Sequence, residues 1–209
     1  MAIDLIQPKQ KFILTDISWD AYETIVKVLQ NRSVRLTYDR GTLEMIGPPY
    51  RHQRYKTLMG SFIKILAEER SIPLINPGSM TFKRQDLERG LEPDECFYIQ
   101  NASAVMGKAE IDLTRDPPPD LAIEIEIGNT SLNRISIYDA LGVPEVWCYD
   151  GITLKVYLLA KEERGKLKQR FTFPFLPLPE FMQFVRQAEV VDDTTLFQSF
   201  RDWVKKGFR

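Results

Sequence analysis

Apolar positions change their spacing several times along the chain, and each change marks an element. Trp19, Tyr22, Ile25, Val26 and Leu29 recur at helical intervals behind Ser18, a capping residue, with Asp20 and Glu23 near the positive end of the helix dipole. Val34–Tyr38 and Thr42–Ile46 then flank Asp39-Arg40-Gly41, the pattern of a β-hairpin. After Pro49 comes the longest regular signal, in which Tyr55, Leu58, Met59, Phe62, Ile63 and Leu66 line one stripe of a helix. Strands are expected at Ser79–Lys83, Glu95–Gln100 and Pro119–Ile127. A helix capped by Asn129-Thr130-Ser131 follows, carrying Leu132, Ile135, Tyr138 and Leu141 and closed by Gly142. Glu145–Tyr149 and Ile152–Leu159 bracket Asp150-Gly151, a strong hairpin turn. A charged loop, Lys161 to Lys168, leads to a strand near Phe171. The chain then reads as a short helix, Pro179–Ala188, and an amphipathic one, Thr195–Lys206, with Leu196, Phe197, Phe200, Trp203 and Val204 on one side.

From about Pro49 to Tyr149 the order is helix, strand, strand, strand, helix, strand. The second helix is long enough to cross over to a parallel strand, so a mixed α/β sheet with helices packed on it is expected. The first helix and hairpin precede this core, which spans about residues 49–150, and the last two helices follow it. No repeat or linker divides residues 1–209, so one domain is expected.

Composition narrows the function classes. The net charge of the 209-residue chain is −1, so bulk charge does not favour a nucleic-acid partner, and such binding would need a local basic patch. Arg51, Arg54, Lys56, Lys83, Arg84 and Arg89 are the candidates. One histidine and two separated cysteines, Cys96 and Cys148, argue against a zinc centre. Both cysteines read as buried thiols in a reducing cytoplasm, and no apolar run is long enough to suggest a membrane partner.

The stretch with the most chemistry is Asp120-Leu-Ala-Ile-Glu124-Ile-Glu126. Strand alternation sends Asp120, Ala122, Glu124 and Glu126 to one face and Leu121, Ile123, Ile125 and Ile127 to the other. Like charges so close repel, and an oxygen-preferring divalent ion, Mg2+ or Mn2+, would compensate them. The plainer reading is an edge strand with a solvated acidic face. Pro93-Asp94 opens the preceding strand, because proline is expected at a strand start or edge. If the two strands pair, Asp94, Glu124 and the Ile125 backbone carbonyl can ligate one cation. Glu124 and Glu126 share one strand face, an arrangement unsuited to acid and base flanking a sugar from different elements.

Pro93-Asp94, some thirty residues, and then Glu124-Ile125-Glu126 resemble the PD-(D/E)xK nuclease signature within the matching order of elements. Pro118-Pro-Asp-Leu-Ala-Ile-Glu124, Thr130-Ser-Leu-Asn-Arg134 and Ile137-Tyr-Asp-Ala-Leu-Gly-Val-Pro-Glu-Val-Trp147 resemble, more specifically, the Uma2-type restriction endonucleases (domain of unknown function 820), a family abundant in cyanobacteria. The resemblance implies a restriction-endonuclease-like fold and Mg2+-dependent hydrolysis of DNA by metal-activated water, with Asp94 and Glu124 as metal ligands and Asp120 beside them. Glu126 stands where the signature has lysine, and Arg134 where relatives often carry lysine. Arg134 can stabilise phosphate charge but cannot serve as a base. His52, on the long helix, reads either as a catalytic group or as a structural hydrogen-bonder. Glu44, on the preceding hairpin, reads as a site acid or a surface residue. A fold that kept its shape and lost its chemistry, as a binding or regulatory module, is the competing reading. The apolar face of the last helix could support a homodimer as easily as pack on the chain's own sheet.

Overall fold

Among the described residues nine strands divide between two sheets, and the alternation within each strand explains what each sheet covers. The structure, a computed structural model, describes residues 10–29, 32, 34–47, 49–126, 132–159 and 172–207. The elements are β1 (Gln10–Leu14), α1 (Trp19–Leu29), β2 (Arg35–Asp39), β3 (Thr42–Gly47), α2 (Tyr50–Glu69), β4 (Phe82–Arg84), β5 (Arg89–Leu91), β6 (Glu95–Phe97), α3 (Ala102–Val105), β7 (Leu121–Ile125), α4 (Arg134–Leu141), β8 (Glu145–Tyr149), β9 (Leu154–Leu158), α5 (Leu178–Gln187) and α6 (Asp193–Lys206). The order in the first sheet is β1-β3-β2-β5-β4, and in the second β6-β7-β8-β9.

The first sheet grows from the expected hairpin. Arg40 and Gly41 take positive φ at its tip, which gives the turn a twist that suits the flanking strands. Leu36 and Tyr38 on β2, with Leu43 on β3, face Tyr22 of α1. The Tyr22 and Tyr38 rings stack with centroids 4.7 Å apart. Alternation therefore turns Arg35 and Thr37 to the opposite face, together with Glu44, which lies directly across from Thr37. Ser18 caps α1, its hydroxyl accepting the Ala21 N–H at 3.2 Å.

The second sheet is buried on both sides. Leu121, Ile123 and Ile125 of β7, with Phe97 of β6, pack against α2, α5 and α6. Phe62 of α2 is the hub of that layer, with its ring 4.3 Å from Phe200 and 5.8 Å from Phe181. On the other face Cys96, Ala122 and Cys148 meet Ile137, Tyr138 and Leu141 of α4. β7 runs parallel to β8 through the α4 crossover and antiparallel to β6.

The sequence expectations meet this architecture unevenly. β7 is a central strand, so the solvated-edge reading of its acidic face does not hold: Glu124 is 1% exposed. The strand expected at Ser79–Lys83 is β4, shifted to Phe82–Arg84, and it joins the first sheet because β5 intervenes. Asn133 caps α4, accepting the Ser136 N–H at 3.1 Å. The Asn129–Ser131 cap, Ile127, the 161–168 loop and the strand near Phe171 lie outside the described residues. Gly142 closes α4 with φ +82° as expected. Of the two readings of the apolar face of α6, packing within the chain is the one seen: Phe197, Phe200 and Trp203 lie in the layer formed with α2 and α5. No helix among the described residues is long and apolar enough to cross a membrane.

Candidate active site

Strand register brings Asp94 and Glu124 together. Glu95 pairs with Ile123 and Cys96 with Ala122, so the next rung sets Asp94, just before β6, beside Glu124. Both side chains are 1% exposed, on the face covered by α4. Two buried anions this close require cations, and the chain supplies two guanidinium groups.

Arg35 reaches over from β2. Its Nη1 lies 2.9 Å from both Asp94 oxygens, with Oδ2 accepting the hydrogen bond, and its Nη2 donates to Glu124 Oε2 at 2.5 Å. Arg134 comes from the first turn of α4 and donates to Glu124 Oε1 at 2.7 Å and to the Glu92 carbonyl at 2.6 Å. It also donates to Thr37 Oγ1, and Tyr138 Oη donates to Glu124 Oε1. The four charges, Asp94, Glu124, Arg35 and Arg134, sum to zero. Asp94 gains a further donor in the Ile125 N–H, 2.7 Å from Oδ2.

His52 enters from the first turn of α2, 1% exposed, with Nε2 3.1 Å from Asp94 Oδ2 and 3.0 Å from Arg35 Nη1. One ring nitrogen cannot both donate to Asp94 and accept from Arg35, and donation of Nε2–H to the Asp94 carboxylate is the choice that avoids setting a lone pair against an anion. It also leaves the unpartnered Nδ1 as a bare lone pair rather than a stranded N–H.

The other expected residues divide. Glu44 is fully buried on the site-facing side of the first sheet, and its carboxylate pairs with Lys11 at 3.2 Å. Glu126 follows β7 on the same side as Glu124, its backbone N–H donating to the Tyr149 carbonyl at 2.7 Å. Asp120 is not brought to this cluster. It accepts the Ile99 and Asn101 N–H groups at 2.6 and 3.0 Å and the Asn101 side-chain amide at 2.6 Å, fastening the turn after β6. At Ile125 it is the backbone N–H that reaches Asp94.

The ionisation states follow from these contacts. Burial alone would raise the Asp94 carboxyl, but the Arg35 charge, the His52 ring and the Ile125 N–H hold it well below the usual range. Burial raises Glu126 above its ordinary value, and the neighbouring Glu124 charge raises it further. Burial and Glu124 likewise push the Tyr138 phenol upward, so it stays a hydrogen-bond donor. For Arg134 burial works downward, but the Glu124 charge more than offsets it and keeps the guanidinium charged.

The donor set bears on whether a divalent ion suits this pocket. Among the described residues no three His, Cys, Asp or Glu side chains converge as a ready-made metal cage. Mg2+, however, is commonly held by one or two carboxylates, with water and substrate oxygens completing its shell. Asp94 and Glu124 already share one cation, the Arg35 guanidinium, and Asp94 Oδ1 is buried with no hydrogen bond. The pair therefore fits a hard ion, provided Arg35 yields its place.

Of the residues that build the cluster, Arg35, Thr37 and Tyr138 were not legible as site residues. Arg35 and Thr37 alternate with apolar Leu36 and Tyr38 on a strand whose hairpin partner carries Glu44 at the facing position. That polar face was the available signal. Tyr138 falls on the apolar stripe of its helix, where its sequence position is that of an ordinary core residue.

The basic residues expected to meet phosphate are spread over several ion pairs. Arg51 bonds Glu189 at 2.6 Å, Arg54 Asp193 at 3.1 Å, Lys83 Glu23 at 2.5 Å, Arg84 Asp86 at 2.6 Å and Arg89 Asp39 at 3.0 Å. Lys56 donates to Ser79 Oγ at 2.7 Å. Arg51 and Arg54, with exposed Tyr50, line an open depression beside the end of α2 that carries His52.

Comparison with known proteins adds a family. Residues 19–190 match the Uma2 family model, described as "Putative restriction endonuclease". A solved structure described as a "putative nuclease belonging to DUF820", from Anabaena variabilis, is 17% identical over 81% of this chain and 90% of that one, with a TM-score of 0.47. No curated protein matches.

Proposed function

The chain belongs to the Uma2 family of restriction-endonuclease-like proteins, and on that premise we propose that it hydrolyses DNA phosphodiester bonds with a divalent cation held by Asp94 and Glu124. The observation that carries this reading is the buried carboxylate pair, contributed by two adjacent strands, that shares a single positive group.

Mg2+ or Mn2+ bound there would polarise a phosphoryl oxygen and lower the pKa of a coordinated water. The protein's own groups supply the rest. Arg134 holds Glu124 in place while anchored to Thr37 on β2 and to the Glu92 carbonyl in the segment after β5. Tyr138 occupies the same oxygen and fixes the carboxylate's rotation. His52 and the Ile125 N–H orient Asp94 in the same way. Glu126 is the carboxyl with a raised pKa next to this pair, so it is the group suited to accept a proton from attacking water. That role needs no lysine at position 126. DNA is the substrate class because the depression at the α2 end offers Arg51, Arg54 and Tyr50, whose surface ion pairs are weak enough to exchange for phosphate.

The test is nicking of supercoiled plasmid in Mg2+ or Mn2+ by wild-type protein, Asp94→Asn and Glu124→Gln, with circular dichroism to confirm folding. Cleavage by the wild type alone supports the proposal, and equal cleavage by a folded variant overturns it. A second reading, a family member that binds without cutting, is favoured by one observation: Arg35 stands where the ion would sit. Absence of metal-dependent nicking, with retained duplex binding, would select it.

A further inference from the structure

The two guanidinium groups at the carboxylate pair are held in different ways. Arg134 is 3% exposed and is tied to neutral framework atoms, Thr37 Oγ1 and the Glu92 carbonyl, as well as to Glu124. Among the described residues the hydrogen bonds and ion pairs of Arg35 go to the two carboxylates and the His52 ring, and its Nε is buried without a hydrogen-bond partner. At 13% it is also the most exposed member of the cluster, so it lies between the carboxylates and the outside. One cation is thus built into the fold, and the other is attached mainly to the pair that would hold a metal.

We propose that Arg35 is a built-in competitor for the divalent ion, occupying the Asp94–Glu124 pair until metal displaces it. The inference rests on the reading of that pair as the cation site. Charge arithmetic supports it. With Arg35 in place the cluster is neutral, so a divalent ion added beside it would leave a net +2 and meet the guanidinium at close range. With Arg35 displaced, Asp94, Glu124, Arg134 and the ion sum to +1. Arg35 thereby keeps two anions from repelling each other while no metal is bound. Once released it is a bidentate donor of the kind that suits a phosphate group. DNA phosphates offered to Arg35 would then favour metal entry, coupling substrate and ion through one side chain.

The experiment measures Mn2+ binding to the full chain without DNA, by titration calorimetry and by the loss of the free-Mn2+ electron paramagnetic resonance signal. Wild type, Arg35→Gln and Arg35→Lys are compared, with circular dichroism as the folding check. Arg35→Gln should bind Mn2+ roughly ten- to a hundredfold more tightly than wild type, the factor expected from releasing a charge-assisted hydrogen bond. Arg35→Lys, which keeps the charge but lacks the planar two-nitrogen fork, should fall between them and supplies the comparison if Arg35→Gln does not fold. Adding Glu124→Gln to the tighter variant should abolish the gain. Equal affinities across the series, or no Mn2+ binding by any of them, would overturn the proposal. Tightening without plasmid nicking would leave Arg35's role intact and remove the nuclease reading. Nicking by a wild type that binds Mn2+ as tightly as Arg35→Gln would do the reverse.

Discussion

A double-mutant cycle on Glu124 and Arg134 follows directly from the charge balance of the site. Both side chains are buried, at 1% and 3% exposure, and they meet at 2.7 Å. Arg134→Met leaves a net −1 among Asp94, Glu124 and Arg35, and strands the Thr37 hydroxyl and the Glu92 carbonyl. Glu124→Met leaves a net +1, because Arg134 loses its carboxylate partner while Arg35 keeps Asp94, and it strands the Tyr138 hydroxyl. Breaking a buried pair from one side costs about 3–5 kcal/mol, because the surviving charge is uncompensated. For a chain of this size that corresponds to a fall in Tm of roughly 6–20 °C. The double variant restores neutrality, since Arg35 and Asp94 remain paired at 2.9 Å. It should therefore be more stable than the sum of the single losses by about 2–3 kcal/mol. Urea unfolding followed by circular dichroism at neutral pH gives all four corners of the cycle. Simple additivity, within about 0.5 kcal/mol, would refute the reasoning that the pair's value lies in mutual charge compensation.

Three further outcomes are expected. Gly90→Ala should destabilise by about 2 kcal/mol or more, because its Cβ would fall 2.3 Å from Tyr22 Oη; adding Tyr22→Phe, which deletes a buried hydroxyl with no hydrogen-bond partner, should recover part of the loss in calorimetric Tm. Glu126 is raised above its ordinary 4.5 by burial and Glu124, so its contribution to stability is complete below that pH and is lost as pH rises through the elevated folded value. Glu126→Gln should then be more stable than wild type at neutral pH and show a flatter stability-against-pH curve, and an unchanged curve would contradict the assignment. Asp120→Ala, which removes three hydrogen bonds at the turn after β6, should lower stability by about 2–3 kcal/mol, measured by urea unfolding, while the remaining folded protein behaves like wild type in cleavage assays.

Periodicity made the central elements readable, because one long stripe and one two-faced strand dominate them. Tyr55 to Leu66 could only be a helix with a buried face, and Leu121 to Ile125 could only be a strand. β5 escaped because Arg89-Gly-Leu is short and carries no alternation, and missing it assigned the preceding strand to the wrong sheet. Within the site, Asp94, Glu124, Arg134 and His52 come together as side chains whose chemistry singled them out. Asp120 alternates to the same side as Glu124 but lies four residues earlier, where backbone N–H groups of the 99–101 turn claim it. Arg35 was hidden for a different reason. Its importance comes from contacts with Asp94 and Glu124, 59 and 89 residues away along the chain, and no local pattern encodes such a pairing. The basic residues near α2 looked like one patch in sequence, yet folding distributes them among separate acidic partners.

The central claim is that the Asp94–Glu124 pair is a cation site at which DNA is cut. Anomalous scattering from crystals soaked in Mn2+ tests it most directly. The account predicts a peak between the two carboxylates with the Arg35 head displaced from them. A fully occupied Arg35 in its present place, with no manganese peak beside either carboxylate in crystals of protein and DNA soaked together, would contradict it.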